Sequence, residues 1–166
     1  IKSGNVARDL AGNLIVTVEQ RKPLFRVIAN SEAETQHNVF RHEYYIDEDT
    51  LKISYADNFS PNVITVTGQK LPLRGSSDRL KSNSILRDIF RLVSYINADA
   101  FLKALAGQIH VSNEGDVIII PKLADHSIII GDVKDLDTKF NKLRLFYDDV
   151  LSDQSVGWDA YDVIDL

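Results

Sequence analysis

The residues that could take part in chemistry do not form a catalytic or metal-binding pattern. His42 and Glu43 stand as at the start of a zinc-binding HExxH helix, but Ile46 occupies the position of the second histidine. The remaining histidines are His37, His110 and His126, and none has metal-ligand spacing to cysteines or carboxylates. We therefore interpret all of them as ordinary surface or core residues.

Acidic residues and glycines give no stronger signal. Asp47, Glu48 and Asp49 have the acidity of a calcium loop, but the glycine and the terminal Glu of an EF-hand are absent, which favours a hairpin turn. The chain contains no GxSxG, P-loop or GxGxxG motif. These observations predict no catalytic residues, no cofactor and no metal. A hydrolase-like enzyme is the weakest alternative, which a deep pocket lined by His110 or His126 would favour.

Composition is that of a soluble globular protein. The chain has 166 residues, of which 44% are hydrophobic and 26% are charged, enough for one domain or two small ones. It has no cysteine, which excludes disulfides. No segment approaches the roughly 20 apolar residues that span a bilayer. Because the chain begins at Ile1, we expect a fragment whose anchor or targeting segment lies upstream.

Charge is distributed unevenly along the chain. The net charge is −5, and the acidic excess lies entirely in residues 76–166. No Lys or Arg follows Arg144, and the acidic residues beyond it are Asp148, Asp149, Asp153, Asp159, Asp162 and Asp165. This tail would repel phosphates, which argues against nucleic acid as a partner. It is either a solvated face or an interaction surface.

The first part of the sequence predicts strands and hairpins. Leu14, Val16 and Val18 recur with period two, which is typical of a half-buried strand. The turn signal Gly12-Asn13 predicts that Val6–Ala11 pairs with Leu14–Gln20, and Pro23 should interrupt or edge the strand. Further extended runs are predicted over Leu24–Ala29, Phe40–Ile46, Leu51–Tyr55 and Val63–Thr67, with loops over Asn30–Asn38 and Gln69–Asn83.

Three helices are predicted in the second part. The first carries an apolar stripe of helical period, and Ser82 or Ser84 can cap its start; the stripe consists of Ile85, Leu86, Ile89, Leu92, Val93 and Ile96. A second helix is predicted over Ala98–Ala106, capped by Asn97 and ended by Gly107. The third spans Leu136–Leu151, with Asp135 as its N-cap.

The remaining strands complete an α+β fold in which helices pack on an antiparallel sheet. A meander is predicted over Gln108–Ser112, Val117–Ile120 and Ser127–Ile130, followed by a closing strand over Ala160–Leu166. The triplets Ile118–Ile120 and Ile128–Ile130 are apolar on both pleat faces, so we expect these strands to be covered on both sides.

Four segments, in this order, resemble the extracytoplasmic region of FtsQ/DivIB-type bacterial cell-division proteins. GNLIVTVEQRKPLFRV (Gly12–Val27) resembles the last strands of a POTRA domain. YYIDEDTLKISYADNFSPNVITVTG (Tyr44–Gly68) is similar to the junction between POTRA and β domain. DVIIIPKLADHSIIIGDVKDLDTKFNKLRLFYDDVL (Asp116–Leu151) resembles the strand-Gly-helix core of the β domain, and GWDAYDVIDL (Gly157–Leu166) resembles the next strand in the Bacteroidetes branch.

The resemblance implies a domain organisation and a location. Residues 1–57 would be the C-terminal part of a POTRA domain and residues 58–166 the FtsQ-type β domain, with helices near 84–106 and 136–151. It also implies a short cytoplasmic tail, one inner-membrane helix and the remaining POTRA elements upstream, and a final strand beyond Leu166. Without that final strand, Ala160–Leu166 becomes the exposed edge. This region would then lie in the periplasm at the division septum.

The resemblance further implies a non-enzymatic divisome scaffold that binds FtsB- and FtsL-type proteins and coordinates septal wall synthesis. In the family the partner adds a strand to the edge of the β domain, beside its final helix. The partner-binding residues would be Asp132, Trp158, Tyr161, Asp162, Val163, Ile164, Asp165 and Leu166. Asp132 stands where some members have Arg, so the reversed charge predicts a basic partner residue.

Two interpretations stay open at this point. Trp158 either packs the helix-to-strand connection onto the core or lies at the rim of the partner groove, and the role of Tyr161 is equally open. The alternative function, from another class, is a POTRA-bearing module of a secretion or outer-membrane assembly protein.

Overall fold

The computed structural model describes residues 1–30, 41–73, 79–80, 84–150 and 160–166. The strands are β1 Ser3–Arg8, β2 Leu14–Glu19, β3 Pro23–Asn30, β4 Arg41–Asp47, β5 Lys52–Ser54, β6 Ile64–Gly68, β7 Ala106–Val111, β8 Val117–Pro121, β9 Ser127–Gly131 and β10 Val163–Asp165. The helices are α1 Ile85–Ala98, α2 Ala100–Leu105 and α3 Leu136–Leu145, and a π turn over Phe146–Val150 follows α3 directly.

β1 and β2 form a separate antiparallel hairpin, as predicted, but the first strand is Ser3–Arg8 instead of Val6–Ala11, because residues 9–13 form the turn. The Asp9 carboxylate closes the turn by accepting the backbone N–H of Asn13 at 2.8 Å. The prediction that β2 is half-buried is wrong, because every residue of both strands is exposed. Val16, for example, is 62% exposed. The alternation is present, but no described segment packs on the apolar face of the hairpin.

The other strands form one eight-stranded sheet in the order β10-β9-β8-β7-β6-β3-β4-β5. The predicted α+β class is confirmed, and the sheet is mostly antiparallel. Parallel pairing occurs between β3 and β6, between β6 and β7, and between β9 and β10. The predicted meander and the hairpin around residues 47–49 are both present.

The parallel pairs explain where the helices lie. Parallel neighbours need a crossover connection, and α1 with α2 lies between β6 and β7 in the chain as α3 lies between β9 and β10. Both crossovers step in the same direction across the sheet, so right-handed connections place their helices on the same face. The stacked rings of Tyr95 in α1 and Phe140 in α3, 5.3 Å apart, confirm this placement.

The hydrophobic core lies between this sheet face and the helices. The predicted stripe of α1 is confirmed, since Leu86, Ile89, Leu92, Val93 and Ile96 are all buried. Opposite them, the sheet contributes its own buried residues, among them Phe25, Val27, Tyr44, Val66, Ile109, Ile119, Ile128 and Ile130.

The opposite sheet face has no helix among the described residues, which corrects one prediction. The isoleucine triplets are not covered on both sides: Ile119 and Ile128 are buried, but Ile120 is 37% exposed and Ile118 is only partly buried. Polar contacts occupy the centre of this open face. There Thr67 contacts His110 at 3.0 Å, and Arg26 pairs with Glu43.

The predicted boundary between residues 57 and 58 falls between β5 and β6. The sheet continues across it, because β3 pairs with β6 from Phe25–Ile64 to Ala29–Gly68. The assignment of residues 1–57 to a POTRA domain stays a prediction. Residues 31–38 of the first predicted loop, parts of the second, and Ser82 lie outside the described residues.

The predicted caps of α2 are wrong at both ends. Asp99, not Asn97, caps the helix by accepting the N–H of Leu102 at 3.0 Å, and its carboxylate also binds Arg144 at 2.8 Å. The helix ends at Leu105, and Gly107 lies in β7. Pairing of β7 with both β6 and β8 overrides the preference of glycine for a helix end.

The third helix begins at the predicted residue, Leu136, but it ends differently. Asp135 occupies the N-cap position with φ 48° and no side-chain cap hydrogen bond, and Ser84 before α1 likewise makes none. From Phe146 the backbone widens into the π turn, which no apolar periodicity predicts.

Replacement of Ile89 by Ala should remove packing at the centre of the core. Ile89 is fully buried under α1, so Ile89→Ala is expected to lower the free energy of unfolding by about 2–5 kcal/mol in urea titration. Arg91→Ala, on the exposed side of the same helix, should change it by less than about 0.5 kcal/mol. Equal effects of the two changes would contradict the placement of α1.

Candidate protein-binding edge

The C-terminal strand β10 is the last strand of the sheet in the part of the chain that is described. It pairs in parallel with β9, with Val163 opposite Ser127 and Asp165 opposite Ile129. The predicted closing strand over Ala160–Leu166 is therefore present in a shorter form, Val163–Asp165.

The backbone of β10 directs alternate residues toward β9 and away from it. The carbonyl of Asp162 accepts the N–H of Ser127 at 2.8 Å, and the N–H of Leu166 donates to the carbonyl of Ile129 at 3.1 Å. In a parallel strand this pattern also turns Ile164 toward β9. The N–H and C=O groups of Val163 and Asp165 consequently point away from the sheet, where no described strand pairs with them.

The side chains of β10 alternate between the two sheet faces. Ile164 is buried on the helix side, whereas Val163 is 51% exposed on the open face and Asp165 is exposed beside it. Leu166 packs against the core. The edge therefore offers a free backbone together with one apolar and one acidic side chain.

Tyr161 lies just before β10 and connects the strand to the π turn. Its ring is 40% exposed and meets the ring of Phe146 edge-on at 5.2 Å. Trp158 lies outside the described residues, so both interpretations of it stay predictions.

Asp132 lies near the end of β9, at the same sheet end as Leu166. Its carboxylate binds Lys134 at 2.6 Å and Lys139 at 3.2 Å, and these hydrogen bonds hold the pKa of Asp132 below its usual value. Lys139 also donates to the carbonyl of Ile130 at 2.6 Å. A basic partner residue, as predicted, would meet a carboxylate that already has two cationic neighbours.

A buried pair beneath the edge was not found by sequence reasoning. His126, 1% exposed, lies 2.5 Å through its Nε2 from the hydroxyl of Tyr147 in the π turn. Burial raises the pKa of Tyr147 to about 12. Tyr147 lies within the helix predicted over Leu136–Leu151, but nothing in the sequence pairs it with a residue just before β9.

No cluster of His, Cys, Asp or Glu in the described residues could hold a metal ion. Among the same residues, none of the helices has the length and apolarity that crossing a bilayer requires.

The fold and its edge define an α+β protein whose eight-stranded sheet has helices on one face and an accessible terminal strand. Residues 22–166 match the family described as "FtsQ/DivIB, C-terminal related", and the chain belongs to this family. Membership suggests a role in cell division and interaction with other division proteins, and such proteins are generally not enzymes. Comparison with individually curated proteins gives no match.

Loss of the Tyr147 hydroxyl should destabilise the protein. Tyr147→Phe keeps the ring but leaves Nε2 of His126 without this partner, so the free energy of unfolding should fall by about 1–3 kcal/mol. Tyr161→Phe, at the exposed ring, is the matched control and should change it by less than about 0.5 kcal/mol. Urea denaturation measures both, and an unchanged Tyr147→Phe midpoint would show that the contact contributes nothing.

Proposed function

We propose that this protein is a non-enzymatic scaffold of the division machinery that binds a division protein of the FtsB or FtsL type by strand addition to β10. The observation that carries the proposal is the outward direction of the backbone groups of Val163 and Asp165. Through this contact the protein would help to coordinate septal wall synthesis. Family membership supports a division role.

The length and charge of β10 are consistent with a controlled binding site. An open sheet edge is a liability, and proteins protect such edges by keeping them short and charged. β10 has three residues and carries Asp165, with Asp162 immediately before it. Each backbone hydrogen bond adds only about 0.5–1.5 kcal/mol net, so a partner also needs side-chain contacts. Tyr161 and Val163 are exposed apolar groups in position to supply them.

The wider surface in this proposal extends to both ends of β10. Asp132 and Leu166 lie at one end and Tyr161 at the other, and we include Trp158 as predicted. We further propose that this is a single-pass inner-membrane protein and that residues 1–166 lie in the periplasm. The family match favours this function over a secretion or outer-membrane assembly module.

A proline at the outward-facing position tests the edge. Val163→Pro removes one outward N–H and leaves the bonds to β9 in place, since edge strands tolerate proline where the N–H is unpaired. Binding of the FtsB-type ectodomain from the same organism, measured by calorimetry, should weaken at least about tenfold, or about 1.4 kcal/mol.

Val163→Thr is the matched control, because it keeps the N–H and a β-branched side chain, and it should bind within about threefold of the wild type. Circular dichroism and urea titration establish that both variants are folded. Wild-type affinity in a folded Val163→Pro protein would reject strand addition at this edge.

A further inference from the structure

An apolar groove lies between α2, the β8–β9 turn and the π turn. Its volume is about 170 Å³, and it is lined by Phe101, Ala104, Leu105, Leu123, Ala124 and Tyr147. Small-molecule sites usually measure about 300–1,000 Å³, whereas a cavity of about 150 Å³ takes a single benzene ring. The groove therefore has the size of one bulky apolar side chain.

The groove opens to solvent beside a large exposed side chain. Leu123, which forms one of its walls, is 92% exposed. Tyr161 and Val163, at the sheet edge, are exposed as well.

A row of aromatic rings joins the groove to the edge strand. The ring of Phe101 meets Tyr147 at 5.5 Å, Tyr147 meets Phe146 at 6.3 Å, and Phe146 meets Tyr161 at 5.2 Å. Tyr161 directly precedes Asp162 and β10. A segment paired with β10 would consequently leave the edge close to the groove.

The wall formed by Tyr147 is held in place before any partner binds. Its hydroxyl contacts the buried His126, and its ring packs edge-on against both His126 and Phe101. Its backbone belongs to the π turn, a feature found frequently at functional sites. A fixed wall lowers the entropy loss on binding.

The charges around the groove favour a basic partner. Exposed carboxylates lie close in the chain to its lining residues and to β10, at Asp125, Asp149 and Asp162. Of the nearby cations, Arg144 is neutralised by Asp99 at 2.8 Å. Lys122, which donates to the carbonyl of Lys103 at 2.8 Å, and Lys103 itself keep their charges, so the three carboxylates outnumber two uncompensated cations.

We propose that this groove binds a bulky apolar side chain, leucine or an aromatic residue, of the same segment that pairs with β10, and that lysine or arginine flanks that residue. This inference rests on the proposed strand addition and assigns a second contact to the same partner. The backbone at β10 would set the alignment of the segment, and the groove would add the side-chain anchor that a three-residue strand needs.

Filling the groove tests the anchor. Ala104→Trp places a ring in it at an exposed helix position, and affinity for the FtsB-type ectodomain should fall at least about tenfold. The side chain of Leu123 is too exposed to contribute to the stability of the fold, so Leu123→Ser should leave the protein folded and weaken binding about threefold or more. The matched controls are Ala98→Trp at the end of α1 and Leu10→Ser on the distant hairpin, which should both stay within about twofold.

The outcomes separate this inference from the function on which it rests. Wild-type affinity in Ala104→Trp and Leu123→Ser, together with loss of binding in Val163→Pro, would leave the edge in place and reject the groove. Unchanged binding in Val163→Pro would reject strand addition and the shared segment with it.

The partner can be tested in the same way. Alanine substitution along the ectodomain should identify one bulky apolar residue whose loss weakens binding to the wild type but not to Ala104→Trp, because the two changes remove one contact. Affinity should also fall as salt rises from about 50 to about 500 mM if flanking lysine or arginine meets the acidic rim. Additive losses, or affinity independent of salt, would contradict the proposed chemistry of the partner.

Discussion

The one-sided burial of the eight-stranded sheet determines most features of this protein. Both helical crossovers step across the sheet in the same direction, so α1, α2 and α3 cover the same face. The strands then alternate between a buried apolar side and a partly exposed side. The polar contacts of Thr67 with His110 and of Arg26 with Glu43 lie on this second side.

The same arrangement produces the terminal edge. Because α3 and the π turn lie over the helix-covered face, the chain returns beside β9 and in parallel with it. Ile164 closes the core from this strand, and Val163 and Asp165 are left facing outward. Burial and accessibility thus alternate within three residues. The aromatic contacts from Tyr161 to Tyr147 connect the edge to the interior.

Local sequence signals predicted the structure correctly where residues close together in the sequence decide it. The stripe of α1, the turn at Gly12-Asn13 and the β7–β9 meander were all predicted, because periodicity and turn chemistry act over a few residues. The same signals gave wrong predictions where contacts between residues far apart in the sequence decide the structure. Gly107 follows the pattern of a helix end, but the pairing of Ala106 and Gln108 with β8, on either side of it, makes it part of a strand. Ile120 reads as core, but no described element covers its side of the sheet.

The sequence by itself determined the α+β class, most of the elements and the resemblance that the family match bears out. The resemblance also implied a candidate binding strand near the C-terminus. Only the tertiary structure decided that β10 runs parallel to β9, which residues of it face outward, and that His126 meets Tyr147. These depend on pairing between residues far apart in the chain, and hydrophobic period describes which residues are apolar without specifying what they pack against.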